Sequence, residues 1–204
     1  MYKEILLDYK ELYPYISKEN LDIHLSIYRK NLNKLNNLLN DINYDYRYSM
    51  IELITNIDIF NLNIRGEILY YLSSIINHNL YFYNISNKKI TEPIGLIKKD
   101  IDKYFTTYDN FKKEFKVKAL NLKGSGYTFL VRDDKGDLKV NNTSNEDSPY
   151  YYGYIPIICL DLWEHSYFLD YFDDKNTYID NFFKVIDFNK INNYYEKIVN
   201  KNSS

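Results

Sequence analysis

The sequence has little cysteine, little net charge and no long apolar run, and each shortage excludes a class of protein. Its 204 residues include one cysteine, Cys159, so the chain forms no internal disulfide and fits a reducing compartment. No apolar run approaches the ~20 residues that a membrane-spanning helix needs. The N-terminus lacks the apolar core of a signal peptide and carries acids that transit peptides avoid. These absences predict a cytoplasmic protein that is not bound to a membrane.

The balance of charge and apolar residues narrows the class further. The formal net charge is −2 and the pI is about 5.9, so no basic field favours nucleic acid or an anionic lipid surface. Apolar residues make up 45% of the chain, which is enough for a sizeable core. At this length we expect one compact domain or two small ones that share a core.

The first half of the chain has the periodicity of helices. Apolar residues recur every three or four positions, which predicts a long helix from about residue 20 to 40 and a second from about 66 to 83. A shorter helix is expected between them, at residues 49–60. Each long helix carries one histidine on its apolar side, His24 in the first and His78 in the second. The half therefore predicts a helical hairpin.

The second half changes from helical to strand patterns. The polar segment Asn84–Pro93 is the best candidate boundary, and it divides the chain into residues 1–90 and 91–204. Helices are predicted at 95–105, 108–120 and 176–199. A β-hairpin is predicted at 124–142, and a third strand follows at 155–160. The predicted fold class is α+β, with an N-terminal long helical hairpin and a C-terminal domain that contains the strands.

The stretch after the third strand holds a candidate site. Asp161 and His165 lie four residues apart, and such a pair can bind one metal ion, or the aspartate can cap the helix that follows. A histidine on a helix face is more often structural than a ligand. The chain has only three histidines, however, and the other two lie on the inward faces of the long helices. Three imidazoles and one carboxylate are a donor set suited to Fe, Mn or Zn.

The same stretch resembles a known family. Asp161-Leu-Trp-Glu-His-Ser-Tyr167 is similar to the D-x-W-E-H-A-Y signature of the iron/manganese superoxide dismutases. The resemblance implies an N-terminal helical hairpin and a C-terminal α/β domain with a three-stranded antiparallel sheet. Further segments match the family in the same order along nearly the whole chain: Pro14–Ser17, His24, Asn77–His78, Gly124–Val131, Asn145–Pro149 and Val185–Phe188.

The resemblance also implies a ligand set and a reaction. The metal ligands are then His24, His78, Asp161 and His165, which hold one Mn or Fe ion per subunit. The ion alternates between trivalent and divalent states, and superoxide is converted to oxygen and hydrogen peroxide.

Two residues inside the signature are implied to act beside the ligands. Trp163 forms a wall of the site. Glu164 reaches across a twofold interface to the partner subunit's His165, which implies a homodimer. The alternatives are that Trp163 is ordinary core and that Glu164 is a solvated acid at a helix start.

Several positions around the implied site depart from the family. The gateway tyrosine is replaced by Leu32, and a histidine four residues after the first ligand is replaced by Tyr28, which becomes a candidate catalytic residue. A tyrosine of the partner subunit corresponds to Phe168, and the arginine of the substrate funnel corresponds to Phe172. The two aromatic positions after Gly-Ser-Gly are tyrosine and phenylalanine where the family has tryptophan. Loss of the arginine is expected to weaken the steering of an anion.

The choice of metal turns on two further positions. Manganese members hold a glutamine in the loop where this chain has Glu146, and Ser74 is small, like the glycine of manganese members. This layout slightly favours Mn over Fe. An ionised Glu146 stabilises the oxidised metal, whereas a protonated one mimics the amide. The alternative is that Glu146 is an exposed loop acid.

Two functions follow from this pattern. The first is an active superoxide dismutase, which the four retained ligand positions and Glu164 favour. The second is a catalytically degenerate protein on the same fold that serves as a structural or binding subunit, which the altered substrate funnel favours.

Overall fold

The computed structural model describes residues 1–201, and its mixed α+β architecture confirms the predicted fold class. Two long helices open the fold, and a helical region with one antiparallel sheet of three strands follows. Within the described residues, no helix is long and apolar enough to cross a membrane. The elements are α1 Lys18–Asp41, α2 Met50–Thr55, α3 Leu62–Asn84, α4 Gly95–Phe105, α5 Tyr108–Asn121, β1 Gly126–Arg132, β2 Leu138–Ser144, β3 Ile155–Asp161, α6 Glu164–Tyr171, α7 Lys175–Val185 and α8 Phe188–Lys201.

The two long helices form because their apolar faces pack together. Ser17 caps α1, since its hydroxyl accepts a hydrogen bond from the backbone N–H of Asn20 at 3.0 Å. From there Leu21, His24 and Tyr28 follow one buried face of α1, which packs against α3. This packing places His24 and His78 in the interior between the helices, as their positions on the apolar faces predicted.

The sheet brings the third strand beside the hairpin. The strand order is β2-β1-β3, and both pairings are antiparallel. Six of the seven residues of β1 are buried, and Arg132 is partly buried. This burial arises because β1 is the central strand and helices cover the sheet. Cys159 on β3 is fully buried and is part of the core. Asp161 is the last residue of β3 and lies opposite Tyr127 on β1.

Two predicted helices differ from the structure. The second long helix begins at Leu62, before Gly66, because the glycine is accommodated inside the helix. The single helix predicted at residues 176–199 is wrong, since α7 ends at Val185 and α8 begins at Phe188. Ile186 between them is extended and forms a β-bridge with Ile85. The carboxylate of Asp187 then accepts the backbone N–H of Asn189 at 3.1 Å and starts the new helix.

The end of α3 is joined to β3 through one side chain. The Asn84 amide oxygen accepts the backbone N–H of Cys159 at 2.8 Å, and its amide nitrogen donates to the carbonyl of Ile157 at 3.2 Å. Asn84 is fully buried, so no water replaces these bonds. These two hydrogen bonds fix the helix that carries His78 against the strand that ends at Asp161.

Loss of the two Asn84 hydrogen bonds is expected to destabilise the fold. Asn84→Ala leaves a buried N–H and a buried C=O without their partner, which costs about 2–4 kcal/mol in free energy of unfolding. Urea denaturation of the metal-free protein measures the loss. Asn121→Ala, at an exposed position, is the matched control and is expected to change stability by less than about 0.5 kcal/mol. Equal stability of the two variants would contradict the role given to Asn84.

Candidate metal centre

Four side chains from four elements meet in the interior. His24 comes from α1, His78 from α3, Asp161 from the end of β3 and His165 from the first turn of α6. One donor atom of each lies within 4.8 Å of the others. The first three side chains are almost completely buried, and the side chain of His165 is 13% exposed. The structure thus brings together all four residues that the sequence predicted as ligands.

The donors converge on the carboxylate of Asp161. Its Oδ2 atom lies 3.0 Å from Nε2 of His24, 3.7 Å from Nε2 of His78 and 3.6 Å from Nε2 of His165. The Nε2 atoms of His78 and His165 are 3.4 Å apart. Because the same nitrogen of each ring points inward, three nitrogen lone pairs and one carboxylate oxygen can face a single ion.

Hydrogen bonds around the cluster fix the orientation of its members. Nδ1 of His78 donates to the carbonyl of Ser74 at 2.7 Å, which leaves Nε2 free to be a ligand. The other oxygen of Asp161, Oδ1, accepts the backbone N–H of Trp163 at 2.8 Å. Oδ2 of Asp161 thus faces the cluster while Oδ1 holds the turn before α6, and the alternative that Asp161 caps this helix is wrong, because α6 has no side-chain cap. α6 is also tied to α1, because the Asn20 amide donates to the carbonyl of Ser166 at 2.7 Å.

The protonation states of three of the four donors suit a metal site. Burial lowers the pKa of His24, and burial together with the nearby His24 lowers the pKa of His78 to about 3. Burial alone would raise the pKa of Asp161, but hydrogen bonds from His165 and His24 hold it well below its usual range. At neutral pH two rings are thus neutral and the carboxylate is ionised, as metal coordination requires.

The donor set fits a divalent or trivalent ion of the first-row metals. Three imidazole nitrogens and one carboxylate oxygen suit Fe, Mn or Zn, whereas Ca²⁺ and Mg²⁺ prefer oxygen ligands. Hydrogen bonds to the protein fix the orientation of the His78 ring and of the Asp161 carboxylate. The convergence of the donors, and not merely their residue types, makes this a candidate metal centre.

Glu146 lies buried next to this cluster. Its side chain is 3% exposed, so the alternative of an exposed loop acid is wrong. The hydroxyl of Tyr127 donates to Oε2 of Glu146 at 2.6 Å. Burial raises the pKa of Glu146 to about 7. The sequence indicated Glu146 by its loop position, but the contact with Tyr127 was not predicted.

Tyr28 is buried beside the cluster with its hydroxyl turned elsewhere. The ring centroid lies 6.0 Å from that of His78. The hydroxyl donates to the amide oxygen of Asn79 and accepts the backbone N–H of Ile5, both at 2.8 Å. Tyr28 therefore holds the N-terminal segment against α3 while its ring packs on a candidate ligand. Leu32, one turn later, is also buried and offers no hydroxyl group.

The outer side of the cluster is covered by aromatic rings. Trp163 stacks on His165 with centroids 5.9 Å apart, and its ring N–H donates to the carbonyl of Asn145 at 3.2 Å. Glu164 is exposed beside it. Phe168 and Phe172 are also exposed, and their ring centroids lie 4.8 Å apart. An apolar pair therefore occupies the positions at which the resembled family has a tyrosine and an arginine.

Known proteins are similar in sequence to this chain over nearly its full length. Residues 93–194 match the family model described as iron/manganese superoxide dismutases, C-terminal domain. Superoxide dismutase [Mn] 2 of Bacillus anthracis is 32% identical over 189 residues, which cover 92% of this chain and 90% of that protein. Superoxide dismutase [Mn] of Listeria monocytogenes is 33% identical over 92% of this chain and 93% of its own length. Both the sequence and the four-donor cluster therefore lead to one assignment: the chain belongs to the iron/manganese superoxide dismutase family.

Proposed function

We propose that the protein is a superoxide dismutase, which converts two superoxide anions and two protons to oxygen and hydrogen peroxide. The observation that carries this proposal is the convergence of three imidazole Nε2 atoms on Oδ2 of Asp161 in a buried site. The two relatives support it, because both are manganese superoxide dismutases by name.

Under this proposal, the residues of the site would bind the metal and shield it from water. His24, His78, Asp161 and His165 would hold one Mn or Fe ion per subunit, and the ion would supply one-electron redox chemistry. One carboxylate among three neutral rings leaves net positive charge with a divalent or trivalent ion, which attracts a superoxide anion. Trp163, stacked on His165, would limit the entry of water on that side.

Glu146 would tune the centre by its charge. Its buried carboxyl group lies beside the cluster, where an ionised carboxylate stabilises the trivalent ion more than the divalent one. Tyr28 would act through its ring on His78, because its hydroxyl is already bonded to Asn79 and Ile5. We propose Mn ahead of Fe, since Ser74 is small and the polar group beside the site comes from the loop.

We further propose a homodimer in which Glu164 binds the partner subunit's His165. Glu164 is exposed, and its carboxylate makes no hydrogen bond within residues 1–201. His165 lies next to it at the edge of the site.

We also propose a cytoplasmic location and a division into an N-terminal helical domain, residues 1–90, and a C-terminal α+β domain, residues 91–204. Separate expression of residues 1–90, followed by measurement of helical circular dichroism, tests that division.

Removal of the Glu164 carboxylate is expected to weaken the dimer. Glu164→Ala leaves a charge-assisted contact of the interface unmade, so the dissociation constant should rise at least about tenfold. Sedimentation velocity over a concentration series measures it. Glu114→Ala, at an exposed site on α5, should leave the constant unchanged. An unchanged constant for Glu164→Ala would show that the subunits associate elsewhere or not at all.

One preparation tests the central proposal. Metal analysis and a superoxide-decay assay are made on the same purified protein. We expect close to one Mn or Fe per chain and decay that depends on protein concentration and is lost when the metal is removed. A metal-loaded protein without dismutase activity would rule the proposal out in favour of a catalytically degenerate subunit on the same fold.

A further inference from the structure

Two buried polar side chains, those of Tyr127 and Glu146, are in contact beside the donor cluster. The Tyr127 ring is 0% exposed, and its hydroxyl lies 2.6 Å from Oε2 of Glu146. The phenol hydroxyl is the donor and the carboxylate oxygen the acceptor of this hydrogen bond. Oε2 of Glu146 is therefore an acceptor that is committed to Tyr127.

Tyr127 is itself fixed by the elements that carry the donors. On β1 it pairs in register with Asp161 on β3. Its ring meets the ring of His78 edge-on, with centroids 6.2 Å apart. The backbone pairing with β3 and the ring contact with His78 therefore place Tyr127 relative to two of the four donor residues.

Glu146 is held at both of its ends. Its backbone carbonyl accepts a hydrogen bond from the amide of Asn77 at 3.1 Å, and its carboxyl group is held by Tyr127. Glutamate has three rotatable side-chain bonds, so an anchored backbone alone does not fix where the carboxyl group lies. Although it is buried next to the site, Glu146 is not one of the four convergent donors.

We infer that Tyr127 is a positioning residue that keeps the Glu146 carboxyl group out of the metal's ligand set. The inference rests on the proposed function, because it assumes that Mn or Fe occupies the four-donor cluster. A carboxylate is a good ligand for either ion. Without the Tyr127 hydroxyl, the buried carboxylate has lost a partner and its best remaining electrostatic partner is the ion. It then occupies the position that a small anion would take.

The test is a cycle of variants titrated with azide, a small anion that binds at an open position on Mn or Fe. Tyr127→Phe is expected to weaken azide binding by about 10–100-fold and to shift the visible spectrum of the oxidised metal. In the Glu146→Gln background, where a poor amide ligand replaces the carboxylate, Tyr127→Phe should have no such effect. The hydroxyl thus matters only when a carboxylate is there to be restrained.

The control is Tyr195→Phe, which also removes a hydrogen bond of a buried tyrosine, here to Asp100 on α4. It should share any loss of stability and leave the azide affinity and spectrum unchanged. Tyr127→Trp, which keeps a ring donor, should retain the native azide affinity even if Tyr127→Phe folds poorly.

The outcomes separate this inference from the proposed function. Equal azide affinity in native protein and Tyr127→Phe, or the same loss in both backgrounds, would overturn the positioning role while dismutase activity stands. Metal-loaded native protein without dismutase activity would overturn the proposed function alone, because azide binding needs no turnover. Native protein that binds neither Mn nor Fe would overturn both.

Discussion

Asp161→Asn is expected to abolish stoichiometric metal binding and, with it, dismutase activity. Oδ2 of Asp161 is the point on which the three imidazoles converge, and it provides the only negative charge among the four donors. A neutral amide binds Mn or Fe far more weakly than a carboxylate. The loss should exceed the roughly 10–100-fold that follows removal of a hydrogen-bond partner of a ligand.

Metal analysis after dialysis against a mild chelator measures this effect. Asp187→Asn is the matched control, since Asp187 is also a buried aspartate but accepts a backbone N–H at the start of α8. Because asparagine caps a helix about as well as aspartate, Asp187→Asn should change stability by less than about 0.5 kcal/mol and keep its metal. Full metal content in Asp161→Asn would show that the ion is held without this carboxylate and that the site is wrongly placed.

Glu146→Gln is expected to raise the midpoint potential of the bound metal and to change the dismutase rate by about 10–100-fold. The native carboxylate, when ionised, favours the trivalent ion, and an amide of the same shape removes that preference. Gln can still accept the hydrogen bond of Tyr127, so the change is one of charge more than of packing. A redox titration followed by absorbance gives the potential.

The control for this variant is Glu114→Gln on the exposed face of α5. It removes the same charge far from the buried cluster, where solvent screens the interaction, and should leave the potential unchanged. An unchanged potential and an unchanged rate for Glu146→Gln would refute the proposed role of the carboxyl group.

The fold and the four-donor cluster were largely predictable because each left a local or compositional signal. The apolar periodicity of α1 and α3 placed His24 and His78 on inward faces, and the signature around Asp161 supplied the other pair. The break between α7 and α8 left no such signal. It depends on the bridge of Ile186 to Ile85, which is a contact between residues distant in sequence.

The surroundings of the cluster were less predictable, since they depend on side-chain direction. Glu146 was identified by its loop position, yet its burial depends on how that loop folds back onto α3 through Asn77. The direction of the Tyr28 hydroxyl depends on the N-terminal segment, which has no periodicity. Sequence spacing indicates which residues approach a site, but not which atom of each is turned toward it.

The division of the four donors along the chain also bears on synthesis in the cell. His24 and Asp161 are 137 residues apart in sequence, so the imidazoles of the two long helices are translated before the carboxylate and the third imidazole. Contacts between residues this distant in sequence form slowly. Under the proposed function, an ion meets all four donors only once Asp161 and His165 have been added to the chain, so a metal that arrives earlier is held by two imidazoles at most.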